Sequence, residues 1–180
     1  MKVWRFVGFD DSFRGSKAYI VGCVTAGTYV EGFLIDEIEV DGLDVTEKIV
    51  ELINPSKFKI QLKCIFLDGI TFAGFNIADI DEIYRRTGIP VVVVIRKMPN
   101  FEDIDRALRN LDRFEERLKL IEKAGEIHKI EGLFVQLVGC SLDDAKTFIR
   151  ASRLKGKIPE ALRIAHLVAS ALIHRESKRR

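Results

Sequence analysis

The chain has 180 residues, 47% of them hydrophobic and 31% charged, with a formal net charge of +2. That length supports one complete core, residues 1–180 as a single domain, and is short for two; the near-balanced charge does not by itself announce nucleic-acid binding, and no apolar run approaches the ~20 residues that span a bilayer. The three cysteines, Cys23, Cys64 and Cys140, are odd in number, widely spaced and set among apolar residues, which argues against a disulfide frame or zinc site and for a reducing, cytoplasmic setting.

Residues 3–40 are rich in β-branched and aromatic side chains. The turn signals Arg14-Gly15-Ser16 and Thr25-Ala26-Gly27-Thr28 divide them into three antiparallel strands, at 3–13, 17–24 and 29–40. Asp44-Val45-Thr46-Glu47 then has the spacing of a capping box, and Ile49, Val50, Leu52 and Ile53 supply the apolar face of a short helix ending at Asn54-Pro55. A strand at 59–67, a helix at 77–86 stopped by Thr87-Gly88, and an almost wholly apolar strand at 89–95 follow, the last of the kind found inside parallel sheets. Apolar residues recur at helical spacing from Ile104 through Leu108, Leu111 and Leu118 to Ile121, which predicts one long helix over 101–124. A strand over 127–138, a helix over 142–154 opened by Ser141 and Asp144, and a helix over 159–174 with Pro159 in its first turn complete the pattern. Lysines and arginines crowd the final stretch, with Arg175, Lys178, Arg179 and Arg180 at its end. Exposed apolar surface on the third strand or the long helix would suit a homodimer.

Three antiparallel strands followed by alternating helices and parallel strands give a mixed α/β sheet, because parallel strands need crossovers where antiparallel ones need only hairpins. The order matches a ribonuclease H-like architecture. Two stretches carry carboxylates out of apolar runs within it: Phe6-Val7-Gly8-Phe9-Asp10-Asp11-Ser12-Phe13 and Ile65-Phe66-Leu67-Asp68-Gly69-Ile70. An ionised aspartate in such surroundings costs several kcal/mol unless a cation or hydrogen bonds compensate it. Two of them on neighbouring strands fit Mg²⁺ or Mn²⁺, which takes oxygen ligands, keeps several waters and serves phosphodiester hydrolysis. The plainer account is that Asp10 and Asp11 begin a turn and Asp68-Gly69 closes a strand. Neither a phosphate-binding loop of the G-x-x-x-x-G-K-S/T type nor a G-x-S-x-G elbow is present.

The first stretch resembles the Gly-x-Asp-x-Ser-aromatic motif of endonuclease V, which would place a metal-binding aspartate at Asp10. Phe66-Leu67-Asp68-Gly69 with Thr87-Gly88-Ile89-Pro90-Val91 resembles that enzyme's Asp-Gly strand end and Pro-led strand, placing a second at Asp68. Lys157-Ile158-Pro159-Glu160-Ala161-Leu162-Arg163-Ile164-Ala165-His166 is similar to its Pro-Glu segment, whose last residue lies close to the metal and corresponds to His166. Closer still is a small archaeal family, endonuclease dU, whose Asp-Gly-Leu-Asp-x-Thr and Asp-Gly-Ile-Thr-x-Ala-Gly-Phe-Asn stretches read here as Asp41 to Thr46 and Asp68 to Asn76. The resemblance implies a metal-dependent endonuclease acting on DNA beside a deaminated base, with RNA as the other substrate class. A non-catalytic binding module of the same fold is the rival reading. For the third carboxylate Asp44 ranks ahead of Glu47, with Asp41 also available; Asp44 and Glu47 read equally as a helix cap and its partner. Arg96 or Lys97 stands where the resemblance implies a cation near the scissile phosphate. The Pro-Tyr-x-Pro wedge of endonuclease V is missing, so Phe72, Phe75 and Asn76 become candidates to stack on a base and read its edge, against the alternative that both phenylalanines simply pack the sheet.

Overall fold

The computed structural model describes residues 3–179, which leaves Arg180 of the basic stretch outside it. Strands β1 (Arg5–Arg14), β2 (Lys17–Ala26) and β3 (Tyr29–Glu37) form the expected antiparallel meander, and helix α1 (Val45–Ile53) follows. After a single 3₁₀ turn at Lys59–Gln61 come β4 (Leu62–Asp68), a small hairpin of β5 (Thr71–Phe72) and β6 (Asn76–Ile77), α2 (Ile80–Thr87) and β7 (Val91–Ile95). Helices α3 (Phe101–Leu108) and α4 (Phe114–Lys123), strands β8 (His128–Ile130) and β9 (Leu133–Val138), and helices α5 (Leu142–Ser152) and α6 (Glu160–His174) complete the order. One seven-stranded mixed sheet, β3-β2-β1-β4-β7-β9-β8, carries the molecule, with β4 and β7 parallel to β1.

Strand alternation decides which helices each face meets. Val7, Phe9, Ile65, Leu67, Val91 and Val93 point to one face, where Ile49 and Ile53 of α1 and Ile80 and Ile83 of α2 cover them. Phe6, Cys64, Phe66, Val92 and Val94 point to the other, against Phe148 and Ile149 of α5 and Leu162 of α6. The buried alanines Ala165 and Ala169 let α6 settle on Val21 and Cys23 of β2. Gly8 permits the closest approach, since a Cβ there would lie 2.7 Å from the backbone of Ala161 and Leu162. Burial pushes the Cys23 thiol up to about 12, Glu160 adding to the effect, and that of the half-buried Cys140 up to about 11, so neither is a thiolate near neutrality.

Several elements differ from expectation. The helix over 101–124 is two helices, because Arg113 takes a left-handed φ of 53° and α4 turns Arg117 into the interior. The strand over 127–138 is a hairpin turning at Glu131 and Gly132, with φ of 52° and 74°, and β9 runs antiparallel to β7. The helix expected from residue 77 starts at Ile80, capped by Asp79, because the preceding residues form the β5–β6 hairpin. Asp44 does not cap α1 with its side chain. Asn76 does so from the hairpin instead: its Oδ1 accepts from Val45 N at 3.0 Å, while its Nδ2 donates to Glu39 O and Asp44 Oδ1. The Ser141–Asp144 capping box is formed as expected.

Candidate active site

Asp10 follows Gly8 on the face covered by α6, and Asp68 follows Phe66 on the same face of the next strand. The parallel β1–β4 register pairs Phe9 with Leu67, so both aspartates sit side by side at the carboxyl end of the two strands. Asp10 is fully buried, and the Asp68 side chain is 8% exposed. The close seat of α6 on Gly8 carries His166 to Asp10, where Nδ1 lies 2.9 Å from Oδ2. A carboxylate only accepts, so Nδ1 carries the hydrogen and donates it; Nε2 stands 3.2 Å from the carbonyl oxygen of Lys178. The other Asp10 oxygen, Oδ1, accepts from Asp11 N at 2.9 Å. Just past β7, Arg96 is the next residue on this face, and its Nη2 lies 3.7 Å from Asp68 Oδ2, an ion pair rather than a hydrogen bond. Lys97 is exposed at the strand end. Asp11 points to the opposite face, where its Oδ2 accepts from Ala73 N at 2.8 Å and ties β1 to the small hairpin.

The structure therefore brings Asp10, Asp68, His166 and Arg96 together. It commits the candidates for a third carboxylate elsewhere. Asp44 is held by Glu39 N and Asn76, Asp41 Oδ1 accepts from Phe75 N at 2.8 Å, and Glu47 pairs with Arg86 on the exposed side of α1. Among the described residues no group of three His, Cys, Asp or Glu side chains gathers as a metal cage. The donor set still fits a hard divalent cation, because Mg²⁺ is commonly held by one or two carboxylates with waters and substrate phosphate filling the rest. Two carboxylates withdrawn from solvent at one sheet edge are the chemistry such a cation meets, and Asp10 and Asp68 would hold it.

Two expected base-contacting residues are corrected. Phe72 is fully buried in the core beneath α1 and α2, so it has no face to offer a base. Asn76 is fully buried and spends its amide on Val45 N, Glu39 O and Asp44. Phe75 is half-buried and packs with Leu108 and Ile121. Arg117 has no place in the sequence reading yet organises this region: its guanidinium donates to the carbonyls of Asp41, Gly42, Phe75 and Asp112 and to Asp112 Oδ1. Its charge within an otherwise periodic helix face is the only signal the sequence gives.

The arrangement is that of an endonuclease V-type mixed sheet. The structure superimposes on that of human endonuclease V with a TM-score of 0.64 at 16% identity, covering 96% of this chain and 85% of that one. A crystal structure of a protein of unknown function from Archaeoglobus fulgidus matches with a TM-score of 0.93 at 54% identity, covering 95% and 99%. Among curated relatives, the UPF0215 protein of Archaeoglobus fulgidus is 54% identical over 178 residues, 99% of this chain and 98% of its own length. That of Pyrococcus furiosus is 44% identical over 184 residues, covering 97% and 95%. The family model described as Endonuclease dU matches residues 2–173, and the chain belongs to that family. No helix among the described residues is long and apolar enough to cross a membrane.

Proposed function

We propose that this protein is a divalent-metal-dependent endonuclease that hydrolyses a phosphodiester of DNA beside a deaminated base. The observation that carries the reading is the pair Asp10 and Asp68, side by side on adjacent parallel strands and on one face, with His166 bonded to the first. A bound Mg²⁺ or Mn²⁺ would supply a polarised water and stabilisation of the departing oxygen. The chain's own contribution is positional. His166 donates to Asp10 and fixes its carboxylate, and Arg96, 3.7 Å from Asp68, supplies positive charge where a phosphate would approach. Family membership supports the reaction class, and a Ciona intestinalis endonuclease V of the same fold has been crystallised with DNA containing an inosine.

The test is nicking of matched oligonucleotides that carry a deoxyuridine, a deoxyinosine or no lesion, with Mn²⁺ present, by the wild type and by Asp68→Asn. Lesion-dependent nicking by the wild type, reduced at least about a hundredfold in the variant, is the expected outcome. Absence of nicking by either protein, on these strands and on their RNA counterparts, would replace this reading with a binding module.

A further inference from the structure

At the same sheet edge the chain encloses a cavity of about 190 Å³ that the catalytic groups do not fill. It begins at Gly69, the residue after Asp68, and is walled chiefly by Ile70, Ile95, Phe101, Ile104 and Gln136. Pockets for drug-sized ligands run from about 300 Å³ upward, so this one is of the size for a single flat nucleobase. Its position is over the edge from the acidic pair. Asp68 points to the α6 face, whereas Gln136 pairs with Val93 in β9–β7 register and shares the opposite face. A nucleotide whose phosphate lies at Asp68 and whose base turns over Gly69 would straddle that edge.

The lining is apolar except for very few groups, and Gln136 is the informative one. It is 4% exposed, and its Nε2 donates to the Gly125 carbonyl at 3.0 Å, which fixes the amide with Oε1 at the other end. Among the described residues Oε1 has no hydrogen-bond donor, yet Thr25 Oγ1 is the single sealed side-chain polar atom that lacks a partner. Oε1 is therefore not sealed off, and Gln136 is one of the residues that line this cavity. Glycine at 69 takes a φ of 72° and leaves open space, with nothing within 4 Å, where a Cβ would stand beside Asp68.

We infer that the cavity receives a base turned out of the duplex, and that Gln136 Oε1 accepts the ring N–H created by deamination. Cytosine and adenine present an unprotonated ring nitrogen at the pairing edge; conversion of the amine to a carbonyl moves a hydrogen onto that nitrogen, so an acceptor becomes a donor. A buried carbonyl oxygen rewards the donor and repels the acceptor, whose lone pair would face its own. Thymine and guanine also carry a ring N–H at this edge. Their rejection falls to the duplex, since a paired base is harder to flip than one in a mismatch.

The inference rests on the nuclease reading, and one experiment separates the two. Binding would be measured by fluorescence anisotropy, with chelator present so that no cutting occurs, on oligonucleotides carrying deoxyuridine, N3-methyl-deoxyuridine or deoxycytidine. Wild type should prefer deoxyuridine over both others by about tenfold or more. Gln136→Met, matched in length and lacking the carbonyl, should lose most of that preference while its affinity for unmodified DNA stays the same. Equal binding of deoxyuridine and its N3-methyl form by the wild type would overturn the assignment whether or not the variant folds. An undiminished preference in Gln136→Met would also overturn it. If the wild type nicks deoxyuridine strands and either of these results is found, the nuclease reading stands and Gln136 alone is excluded.

Discussion

Arg117 shows how a single buried charge is made tolerable. A lone guanidinium inside a protein is strongly unfavourable unless its donors are met, and here they meet four backbone carbonyls and the Asp112 carboxylate. Three of those carbonyls belong to Asp41, Gly42 and Phe75, so the contact clamps the β3–α1 loop to the hairpin that Asp11 also holds. Arg117→Leu should lower unfolding free energy by about 3 kcal/mol or more in urea titration, through the carbonyls left without donors. Asn76→Ala should cost about 1–3 kcal/mol by the same measurement, because Val45 N loses its cap. Glu131 gives a pH-dependent case. Arg150, hydrogen-bonded at 2.9 Å, and then Arg153 hold its carboxyl below the ordinary value of 4.5. A lowered folded-state value means the stabilisation is complete above 4.5 and fades as pH falls below it toward that lowered value. The difference in urea midpoint between wild type and Glu131→Gln should accordingly be widest near neutrality and close in acid. Asp10 and Asp68 were legible in the sequence because a carboxylate at the end of an apolar strand is conspicuous. The capping role of Asn76 is not legible in the sequence, because an amide in a Gly-rich turn looks the same whether it faces solvent or caps a distant helix.

Among the elements, α6 places the most chemistry for its length. Its first turn lies against Gly8, its alanines against β2, and His166 one turn further on reaches Asp10. Gly8→Ala would set a methyl 2.7 Å from the helix backbone, which has no flexible end to yield. The helix must lift. We expect a loss of about 1–3 kcal/mol in thermal or urea unfolding, together with a fall in nicking rate greater than instability alone produces, since His166 moves with the helix. The main strands from β1 to β7 are readable from alternation and apolar runs, α5 from its capping box, and α1 and α6 from their apolar faces. The division between α3 and α4 was not, because Leu108 and Leu111 continue the helical period through it and the break is made by Arg113, a residue with no breaking tendency of its own. The β8–β9 turn was hidden in a similar way. Glu131 takes a backbone conformation ordinarily left to glycine or asparagine, and Gly132 alone is a weak mark inside an apolar run.

For the whole molecule, the sheet order places residues far apart in the chain at one edge. Asp10 meets Asp68 only when β4 is laid beside β1, and it meets His166 across a separation of 156 positions. Contacts of that separation close slowly, since a long stretch of chain must be ordered before any of them forms. The site, His166 included, is complete only once α6 has docked on β1. A partly folded chain carries the two aspartates and the histidine dispersed, so on the nuclease reading it would gain activity only as α6 docks on β1. For the proposed nuclease, that order would itself be a safeguard.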